Sequence, residues 1–280
     1  MVLCVGWRRS LVVAGVVWAT LVAAGAAAVD SRELGAGVVD DLTGLAFVSI
    51  SGGCFPLGVE PAKDANLDVL IQNERPRHEV CVMPFRMART EVSVAVWAKL
   101  MPDVKLSGPE RFPARGMTLE EVERFLERAN TLSAKEKYRL PTEAEWEFAC
   151  RGGTPQRLPA DRLLSEYDGE SFRRKANVLD GDRWKNEPVE VGTHEPNAFG
   201  LFDLLGNVWE WTADDYAPDA YEKHARQNPR HVAATGKKVI RGGSYRTELA
   251  VVRCGTRGWG VPGDRLPTLG FRLVMDGPAK

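Results

Sequence analysis

The sequence predicts one globular domain of short strands, a few short capped helices and long loops, and three observations lead there. The chain of 280 residues is 44% hydrophobic and 27% charged, enough apolar material to bury one sizeable core. It carries eight Trp and 27 Gly against 10 Phe, a balance that favours loops and short strands packed by large aromatics. Its helical periodicity is confined to the middle of the chain, and from about residue 154 to about residue 240 the regular pattern nearly vanishes. The net charge of −1 gives no reason to expect a nucleic acid or an anionic membrane as partner.

Residues 1–28 read as an export signal, with Arg8 and Arg9 as a short positive region, an apolar run from Leu11 to Ala24, and a small-residue cleavage site at Ala26-Ala27-Ala28. The apolar run is short for a membrane span, so membrane contact is expected only through this segment, if it stays uncut as an anchor. The remainder of a twin-arginine motif is missing around Arg8-Arg9. A periplasmic or secreted location follows, and cleavage removes Cys4, leaving Cys54, Cys81, Cys150 and Cys254. An even cysteine count in an exported chain reads as an oxidised framework, with three pairings open. Cys54 and Cys81 both lie in strand-like segments, and the loop between them suits a bridge. That choice leaves Cys150 with Cys254, a long loop whose closure is worth about 4–5 kcal/mol.

Residues 29–45 have weak pattern and read as a tether, with the domain starting at residue 46. A strand pair and its polar loop, which carries the Glu74-Arg75-Pro76 turn, run to about residue 84. Ser93 is placed to cap a short helix through Trp97 and Leu100. Thr118-Leu119-Glu120-Glu121 is a capping box before a stripe of Leu119, Val122, Phe125, Leu126 and Ala129. Thr142-Glu143-Ala144-Glu145 repeats the box after Pro141, with Trp146 and Ala149-Cys150 facing inward and Gly152-Gly153 ending the helix. All three helices read as structural. Strand-like edges close the chain at Val239–Tyr245 and Leu269–Val274.

The stretch around which the chain is organised is Gly200 to Trp211. Gly206-Asn207 supports a turn through positive φ that aims carbonyl oxygens at one point, and Asp203 and Glu210 place hard anionic oxygens at its two ends. Such a set suits Ca²⁺. The competing reading is a plain turn between strands, with Trp209 and Trp211 as core. Asn177, Asp180 and Asp182, followed by Trp184, offer a second oxygen cage or a polar loop. The four histidines, His78, His194, His224 and His231, form no His-Glu-x-x-His run and no Cys/His zinc pattern, and each reads as a surface or hydrogen-bonded side chain. The basic stretch from Lys223 to Lys238 reads as a solvated loop. There is no Gly-x-Ser-x-Gly, phosphate loop or dinucleotide fingerprint.

Four motifs in register carry a resemblance. Tyr138 to Gly153, Gly206-Asn207-Val208-Trp209-Glu210-Trp211, Arg241-Gly242-Gly243-Ser244-Tyr245 and Leu269-Gly270-Phe271-Arg272 are similar, in order and spacing, to those of the formylglycine-generating enzyme (sulfatase-modifying factor) superfamily. The resemblance implies an α+β fold of the C-type-lectin-like kind, poor in regular structure and stabilised by calcium and disulfides. It implies calcium ligands at Asp203, the carbonyls of Gly206 and Val208, and Glu210, and a second set at Asn177, the carbonyl of Val178, Asp182 and the carbonyl of Trp184. It also matches Cys150 and Cys254 to a structural disulfide.

Formylglycine-forming members oxidise a substrate cysteine with O₂ through two cysteines that hold Cu(I) just after the Gly-Gly-Ser-Tyr strand. Here the first of those positions falls on Thr247 and the second within Leu249 to Val252, where no cysteine stands. A hydroxyl does not replace the soft thiolate that Cu(I) requires, so copper is not expected. Trp209, Ser244, Tyr245, Thr247 and Arg253 match the surroundings of the family's substrate groove. Arg253 is placed either to hold a carboxylate or phosphate or to form a structural salt bridge. The expectation is an exported family member with a non-formylglycine role in protein or metabolite maturation or ligand binding, taking a peptide, protein or small molecule in the groove. The alternatives are a calcium-stabilised binding module without catalysis and an active formylglycine-generating oxidase.

Overall fold

A computed structural model describes residues 37–60, 71–152, 174–181 and 186–276. The expected export signal, Asp182 and Trp184 lie outside the described residues. Strands are numbered in chain order. β1 (Val38–Val39), β2 (Ala46–Ile50), β5 (Phe85–Ala88), β11 (Val274–Asp276) and β6 (Tyr138–Arg139) form one antiparallel sheet in that spatial order. A second sheet runs β10 (Leu269–Gly270), β7 (Trp209–Asp215), β8 (Lys238–Arg241) and β9 (Arg257–Gly260), and in it only the β10–β7 pair is parallel. β3 (Gly53–Leu57) and β4 (His78–Val82) pair on their own, with Cys54 directly opposite Cys81 and bridged to it. Because β1 pairs with β2, the ordered unit begins before residue 46, and the end of the expected tether belongs to the first sheet.

The helices start where local capping chemistry puts them. In α1 (Val94–Leu100) Ser93 accepts the Val96 N–H at 3.3 Å, and Val94, Trp97 and Leu100 are buried. In α2 (Leu119–Leu132) the Thr118 hydroxyl accepts the Glu121 N–H while Glu121 accepts the Thr118 N–H at 3.0 Å. Thr142 and Glu145 repeat this reciprocal pair at α3 (Glu143–Cys150). α2 buries Leu119, Val122, Phe125 and Ala129 of the expected stripe and leaves Leu126 half-buried, and Phe125 stacks on Trp97 at 5.6 Å with Phe271 edge-on to both. α3 departs from the expected one-sided helix. Every residue in it is buried, Glu143, Glu145 and Glu147 included. It is wedged between the second sheet and the β3–β4 pair, and its last residue is bridged to Cys254.

Carboxylates buried this deeply must be paired. Glu147 accepts from Arg151 at 2.7 Å and from Arg241, and these two guanidiniums hold its carboxyl below the usual range against the effect of burial. Glu143 accepts from Arg241 at 3.2 Å and from Arg257 at 2.7 Å. The pair that joins the two sheets is Arg272 with Glu210, at 2.7 Å and fully buried. Arg272 also donates to the carbonyls of Ala88, Arg89 and Phe202, and Glu210 receives the Trp146 indole N–H of α3 at 2.7 Å. We predict that Arg272→Met, which leaves Glu210 buried without its counter-charge, lowers the unfolding free energy by about 3–5 kcal/mol in urea titrations. An unchanged transition would contradict this.

Candidate functional site

The Gly200–Trp211 segment turns as its residues dictate. Asp203, Gly206 and Asn207 have φ of 55°, 82° and 54°. A side chain at Gly206 would put its Cβ 2.1 Å from the Asn177 carbonyl oxygen, so only glycine fits where the two segments meet. The Asn207 N–H donates to that same carbonyl at 2.7 Å. The structure thus brings Asn177 against the turn that holds Asp203 and Glu210. The Asn177 amide donates to the Glu187 carbonyl at 3.0 Å, and Val178 packs in a small cluster with Ala176 and Val252.

The two carboxylates expected to face calcium are engaged by protein donors. Asp203 accepts from the Gly192 N–H at 2.5 Å and lies 2.9 Å from His194 Nδ1. Both Glu210 oxygens accept from Arg272 or Trp146. A cation held by Asp203 and Glu210 would share these oxygens with the donors already on them. Beside them lies Glu91, which sequence reasoning passed over. It is fully buried, its Oε1 accepts from Asn207 at 3.0 Å, and its Oε2 has no partner among the described residues. Burial and the neighbouring Asp203 charge push its carboxyl well above the usual range. Nothing in Arg89-Thr90-Glu91-Val92-Ser93 marks it, because a Glu before a helix start ordinarily faces solvent.

The expected groove residues form a hydroxyl-lined turn after β8. The Thr247 hydroxyl accepts the Ser244 N–H at 2.9 Å and sits 3.3 Å from the Ser244 hydroxyl. The Tyr245 N–H donates to the Asn207 carbonyl at 2.9 Å, tying this turn to the preceding one. Trp209, half-buried at the start of β7, lies against Gly258 of β9. Arg253 takes its structural role. It is buried in a bidentate pair with the equally buried Glu74, the second contact being 2.6 Å, and so does not offer its guanidinium to a ligand. Burial raises the Glu74 carboxyl despite this partner. Arg253→Met is predicted to lower stability by about 3–5 kcal/mol, read by thermal or urea unfolding. Were the guanidinium free for an anionic ligand, stability would not move.

Two other features stand apart from the groove. A cavity of about 900 Å³ opens between α2, the start of α3 and β7, lined in part by Leu119, Leu126, Arg139 and Glu145, and it contains none of the groove residues. His78 and His194 are hydrogen-bonded, as expected, and His78, His224 and His231 converge. The His224 ring centroid lies 5.3 Å from that of His78 and 6.4 Å from that of His231. Ligand-type atoms of His224, Glu143 and Asp214 lie within 4.8 Å of one another. Burial, then the Glu143 charge, raises the Asp214 carboxyl to about 7, and burial lowers the His224 imidazole to about 4.

With turns, buried pairs and hydroxyl-lined strand end in place, comparison with known proteins defines the class. Residues 39–277 match the sulfatase-modifying factor enzyme 1-like domain, and the chain belongs to that family. Among particular relatives, it is 28% identical over 271 residues to a hercynine oxygenase of Mycolicibacterium smegmatis, covering 82% of this chain and 61% of that one. It is 34% identical over 146 residues to the formylglycine-generating enzyme of Mus musculus, covering 49% of this chain and 39% of that one. The chain therefore spans less than two thirds of the length of these curated relatives. The structure of PvdO from Pseudomonas aeruginosa has a TM-score of 0.71 at 22% identity, over 82% of this chain and 94% of that chain, a likeness of fold.

Proposed function

We propose that the chain is an exported family member that works at the Trp209, Ser244, Tyr245 and Thr247 groove without making formylglycine by the copper route, and that it modifies or holds a peptide or small molecule there. The observation that carries this reading is the state of the sulfur atoms. All four cysteines among the described residues are in disulfides, Cys54 with Cys81 and Cys150 with Cys254. Where a first copper-binding thiol is expected, Thr247 presents a hydroxyl already bonded to the Ser244 backbone. Hydroxyl oxygens are hard donors, and Cu(I) selects soft thiolates.

Thr247 and Trp209 are half-buried and supply a hydroxyl and an aromatic face, while Ser244 and Tyr245 are buried and hold the turn, with the exposed Arg246 over the Tyr245 ring. A hydroxyl, an aromatic face and a nearby guanidinium suit a polar substrate held by hydrogen bonds and stacking. Similarity to a relative named as an oxygenase of hercynine supports chemistry other than cysteine oxidation. The export reading rests on the leader-like pattern over residues 1–28.

The test is to incubate the purified protein with a cysteine-containing sulfatase peptide, Cu(I) and O₂, and to follow the peptide by mass spectrometry. No aldehyde product is expected, with or without copper. Copper-dependent conversion of the cysteine would overturn the proposal.

A further inference from the structure

The histidine cluster near the start of α3 is used neither by the groove nor by the buried frame, and its unmet bonding is concentrated. Of the twelve buried side-chain nitrogen and oxygen atoms without a hydrogen-bond partner among the described residues, five are Glu143 Oε2, His78 Nε2, both ring nitrogens of His224, and His231 Nε2. Buried polar atoms are rarely left this way, and clustered exceptions call for an explanation. Glu143 is fully buried, and Arg241, Arg257 and the Tyr221 hydroxyl all donate to its Oε1, so only Oε2 is uncommitted.

Asp214 and His78 are held in place from behind. Asp214 is fixed by the N–H groups of Glu143 and His231, both at 2.8 Å. His78 places Nδ1 2.8 Å from the Pro76 carbonyl oxygen. That contact makes Nδ1 the protonated nitrogen and leaves Nε2 with a lone pair, which is how imidazoles that bind metals are commonly oriented.

We propose that Glu143, Asp214 and His224, with His78 beside them, bind a divalent transition-metal ion of the zinc type. Ligand atoms on a common zinc lie about 3–4 Å apart, so side-chain shifts of about an ångström bring the three atoms, now within 4.8 Å, onto one ion. Two imidazoles on one tetrahedral ion place their ring centres about 5 Å apart, close to the 5.3 Å between His78 and His224. The donor types select the metal: Arg241 and Arg257 beside Glu143 repel every dication alike, and imidazole nitrogens favour zinc and its neighbours over calcium or magnesium. The ion would tie the Tyr221–His231 segment to α3 and β4.

The experiment uses the untagged full chain, stripped with chelator and titrated with Zn²⁺ by calorimetry. One equivalent is expected to bind, with Ca²⁺ failing to compete and His224→Ala weakening binding roughly a hundredfold. His78→Ala is expected to weaken it less. Because a variant can misfold, a second readout uses the wild-type chain alone: Zn²⁺ should protect His224 from diethyl pyrocarbonate, mapped by mass spectrometry. No Zn²⁺ uptake, or uptake that leaves His224 fully reactive and is undiminished in His224→Ala, would overturn the proposal and mark the pocket as hydrated only.

Discussion

The structure depends on one fully buried carboxylate, that of Glu210. It sits where β7, β11's approach and α3 meet, and it receives Arg272 on one side and the Trp146 indole on the other. Neither donor can leave without stranding charge or dipole in a place water does not reach. Arg272 extends the constraint by donating to three further carbonyls, so the end of β5 and the Phe202 loop are fixed by the same guanidinium. Three of the four motifs in which the family resemblance shows, those holding Trp146, Glu210 and Arg272, therefore meet at one interaction. The fourth begins with Arg241, which clamps Glu143 and Glu147 of the same helix.

This convergence explains which parts of the fold were legible in the sequence. Helix starts are local events. A Thr and a Glu three residues later satisfy each other's backbone, and nothing elsewhere in the chain need be known. The environment of α3 is not local. Glu143 and Glu147 look like the solvent face of a capped helix, and only the arrival of Arg241, Arg257 and the Cys254 loop from far along the chain buries them. Arg253 shows the same limit. Its partner, Glu74, lies 179 residues away, so the choice between ligand holder and structural ion pair had no local signal. The register pairing Cys54 with Cys81 was foreshadowed by two strand-like segments, whereas the pairing of β10 with β7 was not, since two-residue strands carry no period.

The histidines were missed for a related reason. Metal-site motifs are recognised in sequence when ligands share a helix face or a tight loop. Here His78 comes from β4, His224 from the end of a short 3₁₀ turn, His231 from the loop before β8, and the carboxylates from α3 and β7. No spacing rule joins positions brought together by five separate elements. The signal was the scarcity of His itself, four in the whole chain, three of which meet.

The division between frame and groove bears on how chemistry varies within such a family. The ion pairs of Glu210, Glu147, Glu143 and Glu74 are buried and reach across the chain, so replacing any one member strands its partner. The Thr247 and Ser244 hydroxyls bond within their own turn, accepting the N–H groups of Ser244 and Arg246, while the Tyr245 backbone ties the turn to Asn207. Thr247 takes part in none of those ion pairs, so a change of side chain there leaves them intact. A scaffold organised in this way keeps its fold while residues outside the ion pairs change, so membership of the family does not by itself fix the reaction.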